Sequence, residues 1–272
     1  MANHESEVFQ LVRGRTALIV SMPHVGTQVP EAVEREFTPV ARALSDTDWF
    51  VDRLYDFVPE LGASVIAARY SRYVIDLNRS PDNAVLYPGM THTGLCPTHS
   101  FAGQPLYGSG VDALPGSEVD LRRSRYWLPY HQALAELLAD TRGRLGRAVL
   151  LDAHSIRSYV PRLFTGRLPD INIGTDDGRS CDPELILPLL EILAAQSQFT
   201  FVVNGRFKGG HITRRYGAPA NGVQALQIEL AQASYMDEDR SSYDETRAAP
   251  LRELLQRLVT ALLQFSPAPR SQ

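Results

Sequence analysis

The chain has 272 residues, 44% of them hydrophobic, and a formal net charge of −4, so it can bury a full core and lies at the upper end of single-domain size. The slightly acidic balance argues against a duplex nucleic-acid binder, whose surface concentrates positive charge, and no apolar run is long enough to span a bilayer. Cys96 and Cys181 are the only cysteines; without a Cys-x-x-Cys pair they exclude a disulfide framework or a cysteine-rich zinc site and suit a reducing compartment.

In chain order, Met1-Ala2-Asn3-His4-Glu5-Ser6-Glu7 carries acids and no apolar signal core, so the expectation is an unexported, cytoplasmic protein. The first apolar run, 17–22, reads as a buried strand ending on Pro23-His24. Residues 45–61 read as a helix, because Ser45-Asp46-Thr47-Asp48 supplies N-cap chemistry and Phe50, Leu54 and Phe57 share a face. Strands follow at 64–68 and 73–77, the second ending on Asp76-Leu77-Asn78-Arg79. Residues 80–115 are rich in Gly, Pro, Thr and Ser and read as a long loop of the kind that forms lids or binding walls. Next come a helix over 120–145, a strand over 148–151 running into Asp152-Ala153-His154-Ser155, a helix over 182–196 and strands over 199–203 and 223–230. A helix over 246–265 and a disordered tail over 266–272 complete the chain, with Pro129, Pro188 and Pro250 expected to kink or bound their helices. Strands alternating with helices predict an α/β fold. Its sheet is mixed and mostly parallel, with helices on both faces and ligands at the carboxyl ends of the strands. The whole chain, 1–272, reads as one catalytic domain with its core over about 10–265.

Three apolar segments converge on His24, His154 and Glu229, which suggests a mononuclear metal hydrolase. A catalytic zinc takes three protein ligands and leaves a position for water, and Mn, Fe or Co also accept His and carboxylate ligands. His24 and His154 are the candidate histidine ligands, His24 alternatively reading as a hydrogen-bonded loop histidine. The third is Asp48 or Asp46, with Asp48 preferred, although either aspartate would serve equally as a helix cap. Asp152 is placed to orient the His154 ring. Glu229 interrupts an apolar strand, where an unpaired carboxylate is costly, so it is a ligand, a base of raised pKa, or the partner of an arginine.

Two basic segments suit carboxylate recognition: Asn78-Arg79, and the glycine-rich stretch 204–217 with Arg206, Lys208, Arg214 and Arg215. That stretch lacks a P-loop ending, and neither a Gly-x-Ser-x-Gly elbow, a His-Glu-x-x-His helix nor a Gly-x-Gly-x-x-Gly turn is present. Tyr126, Trp127 and Tyr130 read as packing residues. His131 has no role from sequence, while His92 and His99 sit in the long loop.

Five separated motifs occur in order: Ser21-Met22-Pro23-His24-Val25-Gly26, Asp46-Thr47-Asp48-Trp49, Ser71-Arg72-Tyr73-Val74-Ile75-Asp76-Leu77-Asn78-Arg79, Leu151-Asp152-Ala153-His154-Ser155, and Gly205-Arg206-Phe207-Lys208-Gly209-Gly210 through Glu229. Together they resemble the N-formylglutamate amidohydrolase (N-formylglutamate deformylase) family over about residues 10 to 265. The resemblance implies metal-dependent hydrolysis of N-formyl-L-glutamate to formate and L-glutamate, a step of histidine degradation. It also implies a zinc-carboxypeptidase-like fold related to aspartoacylase-like deacylases. The roles it implies are His24, Asp48 and His154 on zinc, Glu229 as base, Asn78 and Arg79 on one substrate carboxylate, and Arg206, Arg214 or Arg215 on the other. Thr27 departs from the carboxypeptidase pattern, which has a glutamate there, so the third ligand must come from elsewhere. The alternatives kept open are another N-acyl amino acid or small peptide as substrate, and a non-catalytic carboxylate-binding protein. The expected partner is a small-molecule substrate, with neither nucleic acid nor membrane, and the sequence carries no signal for an oligomeric state.

Overall fold

The computed structural model describes residues 3–5, 8–84, 93–108 and 111–266. The tail from 267 onward lies outside the described residues, as do parts of the long loop, 85–92 with His92 and 109–110. Eight strands form one mixed sheet in the order β1 (Asn3–Glu5), β2 (Phe9–Val12), β4 (Ser64–Ala68), β3 (Leu18–Met22), β5 (Ala148–Ile156), β8 (Val223–Ala231), β6 (Ile171–Gly174) and β7 (Phe201–Val203). The inner strands β4, β3, β5 and β8 are mutually parallel, and β2 and β6 run antiparallel to them on either side.

The helices are three single turns, α1 (Glu31–Glu34), α2 (Pro39–Arg42) and α3 (Val51–Leu54), then α4 (Gly116–Arg122), α5 (Leu128–Leu145), α6 (Pro183–Ala194), α7 (His211–Tyr216) and α8 (Glu245–Gln264). Every residue of β3, β5 and β8 is buried, as expected of parallel strands covered on both faces. Alternation sorts their side chains. Leu18, Val20, Val149, Leu151, Leu226 and Ile228 meet α6 and α8 on one face, while Ile19, Leu150 and Ala225 meet Tyr130, Leu134 and Leu137 of α5 on the other. Tyr126 and Trp127 belong to that second core, as their spacing predicted.

Three expectations require correction. Residues 73–77 are not a strand: Val74 bonds back to Ser71, Tyr73 to the Ser71 hydroxyl and Asp76 across to Leu95, so turn bonds and a single bond to the long loop take the place of a ladder. Residues 45–61 contain only the single turn α3, because Phe50 adopts a left-handed φ of 61° and the carboxylates of Asp46 and Asp48 turn inward instead of capping. Ahead of α5, the expected continuous helix passes through a π-helical segment, Arg123–Trp127, with Pro129 in the first turn that follows. Pro188 and Pro250 lie inside helices that continue through them. Strands β1, β2 and β6 went unpredicted; the described ones are only three or four residues long, too short for periodicity to register.

His131 of α5 ties this core to the site. Its ring stacks on Trp127 at 3.7 Å, its Nε2 lies 2.8 Å from the Leu77 carbonyl and its Nδ1 2.9 Å from the Tyr216 hydroxyl. Burial pushes its pKa down to about 3. A histidine held neutral in the fold contributes stability that is complete above its unfolded pKa of about 6.5 and is lost as pH falls toward 3. The expected cost is about 2–3 kcal/mol by roughly pH 4.5. His131→Gln, which cannot take the charge, is expected to flatten this acid limb in thermal melts between about pH 4.5 and 7; equal slopes in both proteins would contradict it.

Candidate active site

The site forms where the apolar surface under α5 gives way to polar side chains at the carboxyl ends of β3, β5 and β8. Ser21, Asp152 and Gln227 lie in register across these strands, and His154 faces Glu229 two residues further along. His24 follows the end of β3. Asp48 reaches the site because its backbone N–H donates to the His24 carbonyl at 3.1 Å.

Each histidine has one nitrogen held by a carboxylate and the other turned to a common centre. His24 Nε2 lies 2.7 Å from Asp76 Oδ1, and His154 Nε2 lies 3.0 Å from Asp152 Oδ2. Their Nδ1 atoms stand 3.6 Å and 2.9 Å from Asp48 Oδ2. His24, Asp48 and His154 thus offer ligand atoms that all lie within 4.8 Å of one another. His24 Nδ1 and Asp48 Oδ1 are buried and have no hydrogen-bond partner, an arrangement costly unless something else satisfies them. The donor set, two imidazoles and a carboxylate with both outer imidazole nitrogens fixed by carboxylates, therefore fits a divalent metal.

Asp46 does not belong to this group. Its Oδ2 accepts the Phe101 backbone N–H at 2.7 Å, whereas Asp48 lies within the group of possible ligands.

Burial opposes charge at Asp48, but His24 and His154 outweigh it and hold the carboxyl well below its ordinary range. Burial likewise opposes charge on His154, but Asp152 and Asp48 raise its pKa well above the usual histidine value. Asp76 is held low against burial by Arg72 and His24. Glu229 goes the other way: burial pushes it up to about 8, with His154 pulling in the opposite sense. Its Oε2 accepts the Gln227 amide at 3.0 Å.

Asn78 is the hub of the site. Its Nδ2 donates to Asp152 Oδ2 at 3.2 Å and lies 2.9 Å from His154 Nε2, while its Oδ1 accepts the Ile212 N–H at 2.8 Å. Gly210 packs flat against this carboxamide, and a Cβ there would overlap it. Gly210→Ala is expected to displace Asn78, lower kcat/KM at least tenfold and cost about 1–3 kcal/mol. Kinetics and melting of the variant check this, and unchanged values for both would contradict it.

The expected substrate arginines separate in space. Arg79 and Arg206 line the cavity with His24, Asn78, His154 and Glu229. Arg79 donates to the Thr93 carbonyl and hydroxyl, and Arg206 donates through Nε to the Leu163 carbonyl at 2.7 Å. Arg214 and Arg215 do not line it: Arg214 pairs with Asp176 at 2.9 Å and Arg215 lies over Tyr216. The site also contains residues to which sequence reasoning gave no role, namely Arg72, Thr93, Phe101 and Gln227 on its walls and Asp76 behind His24. Arg72 is buried, paired to Asp76 at 2.6 Å and 3.6 Å from Asp48. The signal available for these two was an arginine and an aspartate four apart in an otherwise apolar segment.

Comparison with known proteins identifies the family. The family model described as N-formylglutamate amidohydrolase matches residues 16–236. A protein of Pseudomonas aeruginosa named N-formylglutamate deformylase is 51% identical over 259 residues, 93% of this chain and 96% of that protein. One of Pseudomonas putida with the same name is 48% identical over 260 residues, 95% and 97% of the two chains. The crystal structure of an N-formylglutamate amidohydrolase from Ralstonia eutropha superposes with a TM-score of 0.79 at 27% identity, covering 94% of this chain and 96% of that one. A gene product of Agrobacterium tumefaciens shares the fold, with a TM-score of 0.69 at 20% identity and coverage of 94% and 96%. This chain belongs to the N-formylglutamate amidohydrolase family.

Proposed function

We propose that this chain hydrolyses N-formyl-L-glutamate to formate and L-glutamate in a divalent-metal-dependent reaction, at the cavity bounded by His24, His154 and Glu229. The observation that carries the reading is the pair of unsatisfied buried atoms, His24 Nδ1 and Asp48 Oδ1, beside His154 and within the cavity that also holds Glu229. Zinc is the metal proposed for His24, Asp48 and His154. When bound, it supplies Lewis-acid polarisation of the formyl carbonyl and acidifies water.

The chain's own residues do the rest. Glu229 takes the proton of the attacking water and returns it to the departing amine nitrogen, a task for which a buried carboxyl with a raised pKa is suited. Asp76 and Asp152 hold the imidazoles in the orientation that turns both Nδ1 atoms toward the proposed metal position beside Asp48. The Arg72 guanidinium, buried on the cavity wall, provides positive charge for the oxygen that becomes negative during attack. Arg79, with Asn78 positioning its neighbours, and Arg206 are the groups that bind the two substrate carboxylates. Arg214 and Arg215 take no part in this reading. The proposed setting is the cytoplasm, in histidine degradation.

The test is a substrate panel. Turnover of N-formyl-L-glutamate is expected to exceed that of N-formyl-aspartate, N-formyl-methionine and N-acetyl-glutamate by at least about tenfold in kcat/KM, because Arg79 and Arg206, both half-buried on the cavity wall, lose a carboxylate partner or its alignment with the wrong acid. Preference for a monocarboxylic substrate would overturn the two-arginine assignment. Tight ligand binding without any turnover would favour a carboxylate-binding protein.

A further inference from the structure

The catalytic cavity is small, about 70 Å³, and beside it lies a larger one of about 220 Å³. Phe101 and Ile156 line both. Ile156 is the last residue of β5, two positions beyond His154 on the same face, so its side chain stands next to the reaction centre. Phe101 is fixed from two sides: its backbone N–H is held by Asp46 at 2.7 Å, and its ring lies 4.5 Å from the Arg72 guanidinium. Both side chains are buried and belong to one apolar cluster with Val160 and Leu168. The wall is therefore packed, not a chance approach of two loops.

The cavity is chemically two-sided. Asn78, Arg79 and Thr93 offer polar groups, whereas Phe101, Ile156, Leu163 and Phe207 offer hydrocarbon, with the Arg72 and Arg206 guanidiniums at the edge of that wall over the Phe101 and Phe207 rings. Neither glutamate carboxylate can face hydrocarbon without a desolvation penalty. The substrate group that suits that wall is the acyl substituent, which in a formyl group is a single hydrogen.

We infer that Phe101 and Ile156 form the partition that restricts the acyl group to formyl, and that the cavity behind them would accommodate the chain of a longer N-acyl-L-glutamate once the partition is shortened. Asp46, in this arrangement, is the positioning residue that anchors the wall through the Phe101 backbone. The inference rests on the deformylase reading above and adds to it the residues that set acyl-chain selectivity.

The experiment compares kcat/KM for N-formyl-, N-acetyl- and N-butyryl-L-glutamate in the metal-loaded wild-type protein, Phe101→Ala and Ile156→Ala, with thermal melting as a check on folding. One methyl group misplaced in an apolar pocket changes selectivity by about 10–200-fold. The acetyl-to-formyl and butyryl-to-formyl ratios are accordingly expected to rise at least about tenfold in each variant. Where an alanine variant does not fold, Phe101→Leu and Ile156→Val shorten the same wall conservatively and are expected to shift the ratios in the same direction. Folded variants whose ratios stay at the wild-type value would overturn the partition while leaving the deformylase reading intact. A wild-type protein that prefers N-acetyl-L-glutamate to the formyl substrate would also overturn it. Wild-type protein inert on N-formyl-L-glutamate would sink the functional reading, and the partition with it.

Discussion

Glu229→Gln lowers kcat on N-formyl-L-glutamate by about 10²–10⁴-fold, the usual contribution of a positioned general base, and leaves KM within a few-fold of wild type. The substitution keeps the shape of the side chain and an oxygen that accepts from Gln227, so packing in β8 is preserved. What it removes is the capacity to take and return a proton. Glu229 is suited to that exchange because it is 7% exposed, lies opposite His154 across the β5–β8 pair, and has its pKa pushed by burial up to about 8. Metal content measured by elemental analysis is expected to match wild type, since Glu229 is outside the His24, Asp48 and His154 group. A variant that keeps more than about a tenth of wild-type kcat would assign the proton transfer to another group.

His154→Ala abolishes metal-dependent turnover and destabilises the metal-free fold by about 3–5 kcal/mol. Two effects combine. The substitution deletes one of the three proposed ligand side chains, and it leaves Asp48 and Asp152, exposed by 1% and 0%, without the partner they share. Removing one member of a buried charged network costs far more than the network contributes, because the survivors cannot be hydrated. Denaturant midpoints and metal stoichiometry read the two effects separately. A folded variant of wild-type stability that still binds one metal per chain would remove His154 from the centre.

The tips of the parallel strands were legible because long, unbroken apolar runs ended on polar residues at 17–24, 148–154 and 223–229. In the fold these segments are the neighbouring strands β3, β5 and β8, and the side-chain period of two puts Asp152, His154 and Glu229 on one face. The preference for Asp48 over Asp46 could not be derived from spacing. It depends on a non-helical turn in which the Asp48 N–H meets the His24 carbonyl and Asp46 reaches Phe101. Apolar composition at 73–77 looked like a strand for the same reason the true strands did; its side chains are buried, but its backbone bonds locally. The separation of Arg206 from Arg214 and Arg215 was equally hidden, since α7 turns the latter two away from the cavity within a few residues of a glycine-rich loop. Gln227, which holds the Gly210 N–H and Glu229 Oε2, left no composition signal, whereas Asp76 was marked only by the arginine four residues before it.

The most direct test of the account is glutamate release from N-formyl-L-glutamate by the purified protein, before chelation, after chelation with metal loss verified by elemental analysis, and after zinc is added back. The account predicts activity that disappears with the metal and returns with it. Full activity in verified metal-free protein would contradict the assignment of His24, Asp48 and His154 as a catalytic metal centre, and absence of glutamate release under every metal tried would contradict the deformylase function itself.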